Sequence, residues 1–165
     1  MSRIIVCDTG PLLHLSEANA IHLLQLAGDV LIPPLVAEEF KRVSSIHKIP
    51  KWVAIRQLDE LLRERASQWI DGKDADPGEA QAIGLALQVK SDWLLTDDAR
   101  ARQFAESLGL EVHGSLGLLL WAVAVGLIKS REARHLLDGL YVSSLWISKR
   151  VMNEAINTIE ELSQE

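Results

Sequence analysis

Asp8, Glu38, Glu39, Asp76, Glu79, Asp97 and Asp98 fall in four separate segments, and each segment reads as the end or first turns of an element. Asp8 follows the apolar run Ile4-Ile5-Val6-Cys7. Glu38 and Glu39 lie in Leu35-Val36-Ala37-Glu38-Glu39-Phe40. Glu79 comes just after Asp76-Pro77-Gly78, and Asp97 and Asp98 follow Trp93-Leu94-Leu95-Thr96. Taken singly, each acid has an ordinary reading. Asp8 and Asp76 suit helix N-caps, and Glu79 suits a first helical turn, where the helix dipole favours an acid. Glu38 suits a solvated helix face, whereas Glu39, beside Phe40 and one turn from Val36, leans toward the core edge. Brought to one rim, such carboxylates would repel unless a cation neutralised them. Hard oxygen donors without His or Cys suit Mg²⁺ or Mn²⁺. An ion held that way suits phosphodiester hydrolysis, because it acidifies water, orients it in line and stabilises the leaving oxygen.

The elements that must carry these acids alternate short β-like runs with helical periods, the pattern of parallel strands joined by crossover helices. Ile4–Cys7, 30–32 and Trp93–Leu95 read as strands, 52–55 as an edge strand and 110–113 as a last short strand. Helical periods run over 12–26 (ending near Gly28), 35–43, 59–69, 79–89 and 99–108. From Ser115 onward everything reads as helical, through Glu160-Glu161. The expected fold is α/β, with a central, mostly parallel sheet between helical layers and a helical C-terminal third. In such sheets, sites lie outside the carboxyl ends of the strands. Asp8, Asp97 and Asp98 stand there.

Composition narrows the class. The chain has 165 residues, 48% hydrophobic and 24% charged, enough for one real core that buries roughly 70% of the unfolded surface. The single cysteine, Cys7, excludes an intrachain disulfide and a multi-Cys zinc site and points to a reducing, cytoplasmic setting. The apolar run at 4–7 is too short for a signal peptide, and 116–128 reads as a buried helix, so no membrane partner is expected. The net charge of −6, from 23 acids and 17 bases, argues against coating nucleic acid by bulk charge. It leaves room for an enzyme that collects carboxylates around a cation and touches phosphates with local bases. There is no phosphate-binding Gly-rich loop, no dinucleotide fingerprint and no nucleophile elbow. A phosphatase of the Asp-x-Asp kind would want an acid where Gly10 stands.

With these residues in order, the sequence resembles the PIN-domain nucleases. Ile5-Val6-Cys7-Asp8-Thr9-Gly10-Pro11-Leu12 is similar to the family's opening motif, and Ile32-Pro33-Pro34-Leu35-Val36-Ala37-Glu38-Glu39-Phe40 to its second. Asp76-Pro77-Gly78-Glu79-Ala80-Gln81-Ala82-Ile83 and Leu94-Leu95-Thr96-Asp97-Asp98-Ala99-Arg100-Ala101-Arg102 match the third and fourth. The likeness covers about Ile4 to Ile128, and the tail from Gly126 resembles the ending of a prokaryotic subfamily of PIN-like proteins. The resemblance implies a three-layer α/β/α, VapC-like ribonuclease fold with an acidic pocket for Mg²⁺ or Mn²⁺. Carried over by position, it makes Asp8 the central metal ligand, with Glu39, Glu79 and Asp98 completing the catalytic set. It leaves Asp97 as a substitute ligand or a neighbour of the site, and Thr9 and Thr96 as supporting hydroxyls. The third acid is Glu where Asp is commoner, one methylene longer.

Lys41, Arg42, Arg100 and Arg102 flank the second and fourth acids and are candidates for RNA phosphate contacts. The five histidines show no metal-binding spacing; His14, two turns from Asp8, can border a pocket. Trp93 and Trp121 read as core, while Trp52, Trp69 and Trp146 sit beside polar residues. The ranges expected are 1–128 for the nuclease domain and 129–165 for a helical extension packed on it. The expected activity is metal-dependent endoribonuclease, the toxin of a toxin–antitoxin pair, acting as a homodimer with an antitoxin protein as further partner. The alternative is a catalytically silent PIN-like module that binds RNA or a protein, its acids serving as caps and turn residues.

Overall fold

The computed structural model describes residues 2–163; Met1, Gln164 and Glu165, at the outer ends of the two expected ranges, lie outside them. Strand β1 (Ile4–Cys7) is the centre of the sheet. Ile5, Val6 and Cys7 are fully buried, which is why the strand reads as an unbroken apolar run rather than an alternating one. It pairs with β2 (Asp29–Ile32) on one side and β4 (Trp93–Leu95) on the other, with Ile5 opposite both Val30 and Trp93. The two-residue strands β3 (Ala54–Ile55) and β5 (Val112–His113) close the edges. The order is β3-β2-β1-β4-β5 and every pairing is parallel, so "mostly parallel" understates the sheet.

This order sets the position of the site. From β1 the chain moves outward through β2 to β3, then returns to β4 and β5 on the other side. The switch point therefore lies between β1 and β4, where a crevice opens outside the strand ends. The backbone N–H of Asp8 donates to Leu95 O at 2.9 Å, one step beyond the strand, and this holds Asp8 at the mouth of that crevice.

The helices are α1 (Thr9–Glu17), α2 (His22–Ala27), α3 (Pro34–Val43), α4 (Glu60–Asp71), α5 (Pro77–Val89), α6 (Ala99–Ser107), α7 (Ser115–Ala124), α8 (Ser130–Tyr141) and α9 (Lys149–Leu162). Helix α5 packs on β1 and β4 and carries α3 and α4. Helix α7 gathers α2, α8 and α9, and α8 also meets α1. The result is a three-layer α/β/α fold. Leu12, Leu15, Leu23, Ile83, Leu94 and Leu118 are among the fully buried side chains, each contributing about 1.5–3 kcal/mol through removal from water.

Several expected elements are corrected. The helix expected over 12–26 is two helices. Asn19 takes a left-handed conformation (φ 57°) and Ala20 N–H reaches back to Leu15 O at 2.8 Å, which closes α1. The tail is not helical throughout. Gly126, at φ 78°, ends α7 in the left-handed conformation that glycine adopts without strain, and a turn over 142–148 separates α8 from α9. The edge strands are shorter than 52–55 and 110–113, because each is paired on one side only. Trp52 and Leu110 pack partly against the core instead. Helix α4 extends to Asp71 and α6 ends at Ser107. Among the described residues no helix is long and apolar enough to cross a membrane.

Candidate active site

Asp8 occupies the N-cap of α1, with extended backbone. Its Oδ1 accepts from the Thr9 N–H at 2.8 Å and its Oδ2 from the Thr96 hydroxyl at 3.1 Å. Thr96 is itself buried at the end of β4, and its Oγ1 accepts from the Asp98 N–H at 3.3 Å. One hydroxyl thus ties the ends of the two central strands together. The Thr9 hydroxyl donates to Glu39 Oε2 at 2.8 Å, drawing the second acid in from α3. Asp76 caps α5 in a reciprocal box: Asp76 Oδ1 accepts from Glu79 N–H at 2.9 Å, and Glu79 Oε1 accepts from Asp76 N–H at 3.0 Å. Asp98 caps α6, its Oδ1 accepting from Ala101 N–H at 2.8 Å.

Asp8, Thr9, Glu39, Asp76, Glu79, Asp97 and Asp98 all line one cavity of about 320 Å³, along with Gly10 and His14. The ordinary reading and the chemical reading therefore hold for the same residues. Asp8, Asp76 and Asp98 cap three different helices, and the helix starts converge on the crevice between β1 and β4. Glu38, by contrast, is exposed and lines a different cavity.

Convergence has an electrostatic consequence. Burial pushes the Asp8 carboxyl up from 3.8 to about 7, aided by the charges of Asp76 and Glu39 and opposed by its bonds from Thr9 and Thr96. Glu79 is likewise raised from 4.5 to about 7, first by burial and then by Asp76, Asp98 and Asp8. Among the described residues no lysine or arginine pairs with any of these acids. Burial also pushes the Cys7 thiol up, and the adjacent Asp8 charge adds to it; such a thiol is inert.

A carboxylate cluster without a basic partner suits a hard cation. As the side chains lie, however, no three acidic, histidine or cysteine groups among the described residues stand close enough to enclose one ion. Glu39, Asp76, Glu79 and Asp98 each keep one oxygen on a cap or on a threonine, and Asp8 keeps both. A hydrated Mg²⁺ or Mn²⁺ fits this arrangement, since such an ion keeps several waters and takes one or two carboxylates directly.

Asp97 has a different role from Asp98. Its Oδ1 accepts from Ser115 N–H at 2.7 Å, and its Oδ2 meets the Ser115 hydroxyl at 2.6 Å and His14 Nδ1 at 2.7 Å. Both oxygens are occupied, and Asp97 serves to fix His14 on the cavity wall. Sequence reasoning missed this His14–Asp97–Ser115 group. Two signals were present: His14 lies one helical turn beyond Gly10, and Ser115 follows β5 at the same carboxyl edge. Of the flanking bases, Lys41 and Arg42 are exposed at the end of α3 and do not line the cavity. Lys41, two residues beyond Glu39, lies on the opposite face of α3, and Arg42, three residues beyond it, is exposed in the helix's last turn. Arg100 donates to Lys73 O at 3.1 Å beside Asp76, Glu79 and Asp98. Arg102 borders an adjoining pocket.

Gly78 makes room for Glu39. A Cβ at Gly78 would lie 2.3 Å from Glu39 Oε2. Because the clash is with the end of a flexible side chain, Gly78→Ala is expected to fold with stability within about 1 kcal/mol of wild type, helped by alanine's better helix propensity. The Thr9–Glu39 bond would break, and any activity that uses Glu39 should fall about 10–100-fold, the effect of losing a supporting bond to a ligand. Unchanged activity in Gly78→Ala would remove Glu39 from the working set.

A sequence model described as the PIN domain matches residues 4–161. Among curated proteins no relative matches the chain.

Proposed function

The chain belongs to the PIN-domain family and has a fold of the nuclease type, and on that premise we propose that it is a metal-dependent endoribonuclease. The observation that carries this reading is the gathering of Asp8, Glu39, Glu79 and Asp98 in one cavity with, among the described residues, no lysine or arginine paired to them. In the proposed mechanism these four acids hold Mg²⁺ or Mn²⁺. When bound, the ion supplies Lewis acidity, acidifying water and neutralising charge on the phosphate. Thr96 orients Asp8, and Thr9 orients Glu39, so that both carboxylates face the cavity before substrate arrives. His14, held by Asp97, presents its free ring edge to the same space.

The toxin role, an antitoxin partner and a homodimer belong to the same proposal and rest on resemblance. Exposed Val125, Leu127 and Val142, just beyond the ends of α7 and α8, offer apolar surface for self-association. The silent-module reading has one observation in its favour: every acid of the cluster already serves a cap or a hydroxyl bond. Incubation with single-stranded RNA separates the two. The nuclease reading expects internal cleavage in Mn²⁺ that stops when a chelator is added. Intact RNA in both conditions, with retained RNA binding, supports the silent module.

A further inference from the structure

Trp146 is 84% exposed, yet the turn that carries it is held on both sides. Ser144 bonds through its N–H and hydroxyl to Glu17 at the end of α1, and Leu145 N–H donates to Ser143 Oγ at 3.1 Å. Leu145 and Ile147 pack partly into the core. The indole is therefore presented to solvent by an anchored segment, against the usual tendency to bury so large an apolar surface.

Its position gives the exposure a use. Leu145 and Trp146 line the carboxylate cavity and also an adjoining pocket of about 500 Å³, and Asp97 is the boundary between the two. The second pocket is walled by half-buried apolar side chains, among them Leu116, Leu120 and Ile147. Arg102 stands at its rim. The guanidinium Nη2 lies 3.1 Å from where a Cβ on Gly114 would be, so it rests over bare backbone. Among the described residues it makes no ion pair. An apolar slot, an aromatic face and a free guanidinium, continuous with an acidic phosphodiester site, match one ligand chemistry: a nucleotide of single-stranded RNA.

We propose that Trp146 and the pocket beside it form a nucleobase subsite, in which the base next to the scissile phosphate stacks on the Trp146 indole and Arg102 holds a flanking phosphate. The proposal rests on the nuclease reading and deepens it. A splayed base can use such a platform, whereas a base inside an RNA duplex stays stacked on its neighbours. The subsite therefore favours single strands over duplexes, with little sequence preference, because every base has a π-face.

The test uses the full chain carrying Asp8→Asn, so that RNA is bound without being cut, and a short fluorescein-labelled oligoadenylate read by anisotropy. Adding Trp146→Ala is expected to weaken binding about 10–100-fold, the loss typical of one base–aromatic stack. Trp146→Phe should restore most of it. An oligonucleotide carrying abasic sites should bind the Asp8→Asn protein as weakly as the alanine variant binds the intact strand, and the two losses should not add. In the Asp8-intact protein, Trp146→Ala should raise KM with kcat little changed. Equal affinity with and without the indole would overturn the subsite while leaving the nuclease reading in place. So would a change in sedimentation in place of a change in RNA affinity, which would make Trp146 a contact between copies of the chain. No RNA binding by any of these proteins, together with no cleavage by wild type, would overturn both.

Discussion

Asp8→Asn is expected to abolish RNA cleavage, by on the order of 10³-fold or more, while making the metal-free protein more stable. The two effects have one cause. Asp8 is a buried carboxylate at the mouth of the β1–β4 crevice, and its neighbours are acids. An amide of the same shape keeps the acceptor for Thr9 N–H, and the Thr96 hydroxyl can turn to accept from the new NH₂ group. What is lost is the charge, which is costly to bury without a cation and is needed to hold one. Loss of a group that holds the reacting centre carries a rate penalty of this size. Removal of this buried charge is worth roughly 1–4 kcal/mol, or about 2–16 °C in Tm for a chain of this length. Cleavage checks the first effect, and a thermal melt in chelator at pH 8 checks the second. A variant that cleaves RNA normally, or that melts well below wild type, would contradict the role given to Asp8.

The same acids make stability fall as pH rises. Folding raises the Asp8 carboxyl from 3.8 to about 7 and that of Glu79 from 4.5 to about 7. Between those limits the folded chain binds protons that the unfolded chain has released, so the slope of stability with pH is negative. Their contribution is complete below about pH 4 and is lost as pH passes through about 7. For Asp8 this is on the order of 4 kcal/mol; for the half-exposed Glu79 it is smaller because solvent screens it. In chelator, wild type should therefore melt at a higher temperature at pH 6 than at pH 8. Mg²⁺ should narrow that gap, because an ion that binds only the ionised, folded site stabilises it by mass action. In Asp8→Asn most of the gap should be gone. Equal melting temperatures at the two pH values in chelator would mean that the acids do not repel one another as their placement implies.

Much of this site is written locally in the chain, and its convergence is not. Ile4–Cys7 and Trp93–Leu95 are legible as strands because a parallel strand covered on both faces must be apolar throughout. Asp8 and Asp76 are legible as caps because each precedes a helical period, and in the fold Asp98 caps α6 in the same way. Strand order is set by which runs pair across long loops, and no short segment encodes it. The switch point between β1 and β4, which turns three ordinary caps into one cluster, therefore emerges only from the fold. For the same reason Asp97 and Asp98, adjacent and alike in type, part company only in the fold: Ser115 and His14, distant in the chain, occupy the first, while the near neighbours Thr96 and Ala101 hold the second. The break after α1 escaped the periodicity because Leu15, Leu23 and Leu24 keep helical spacing across Asn19, whose left-handed backbone does not depend on that spacing. Trp146 shows the opposite limit. Its neighbours Leu145 and Ile147 pack partly against the core, and the turn that exposes the indole between them is anchored by Glu17, more than a hundred residues away.

Calorimetric titration of Mn²⁺ into wild type and into Asp8→Asn, at a pH where the carboxylates are ionised, addresses the shared site most directly. Saturable binding by wild type that is lost in the variant is the expected result, with Asp8, Glu39, Glu79 and Asp98 acting as one centre. No heat of binding up to millimolar Mn²⁺, or equal binding by both proteins, would contradict it and leave the four acids as helix caps and hydrogen-bonding groups in a fold that binds without cutting.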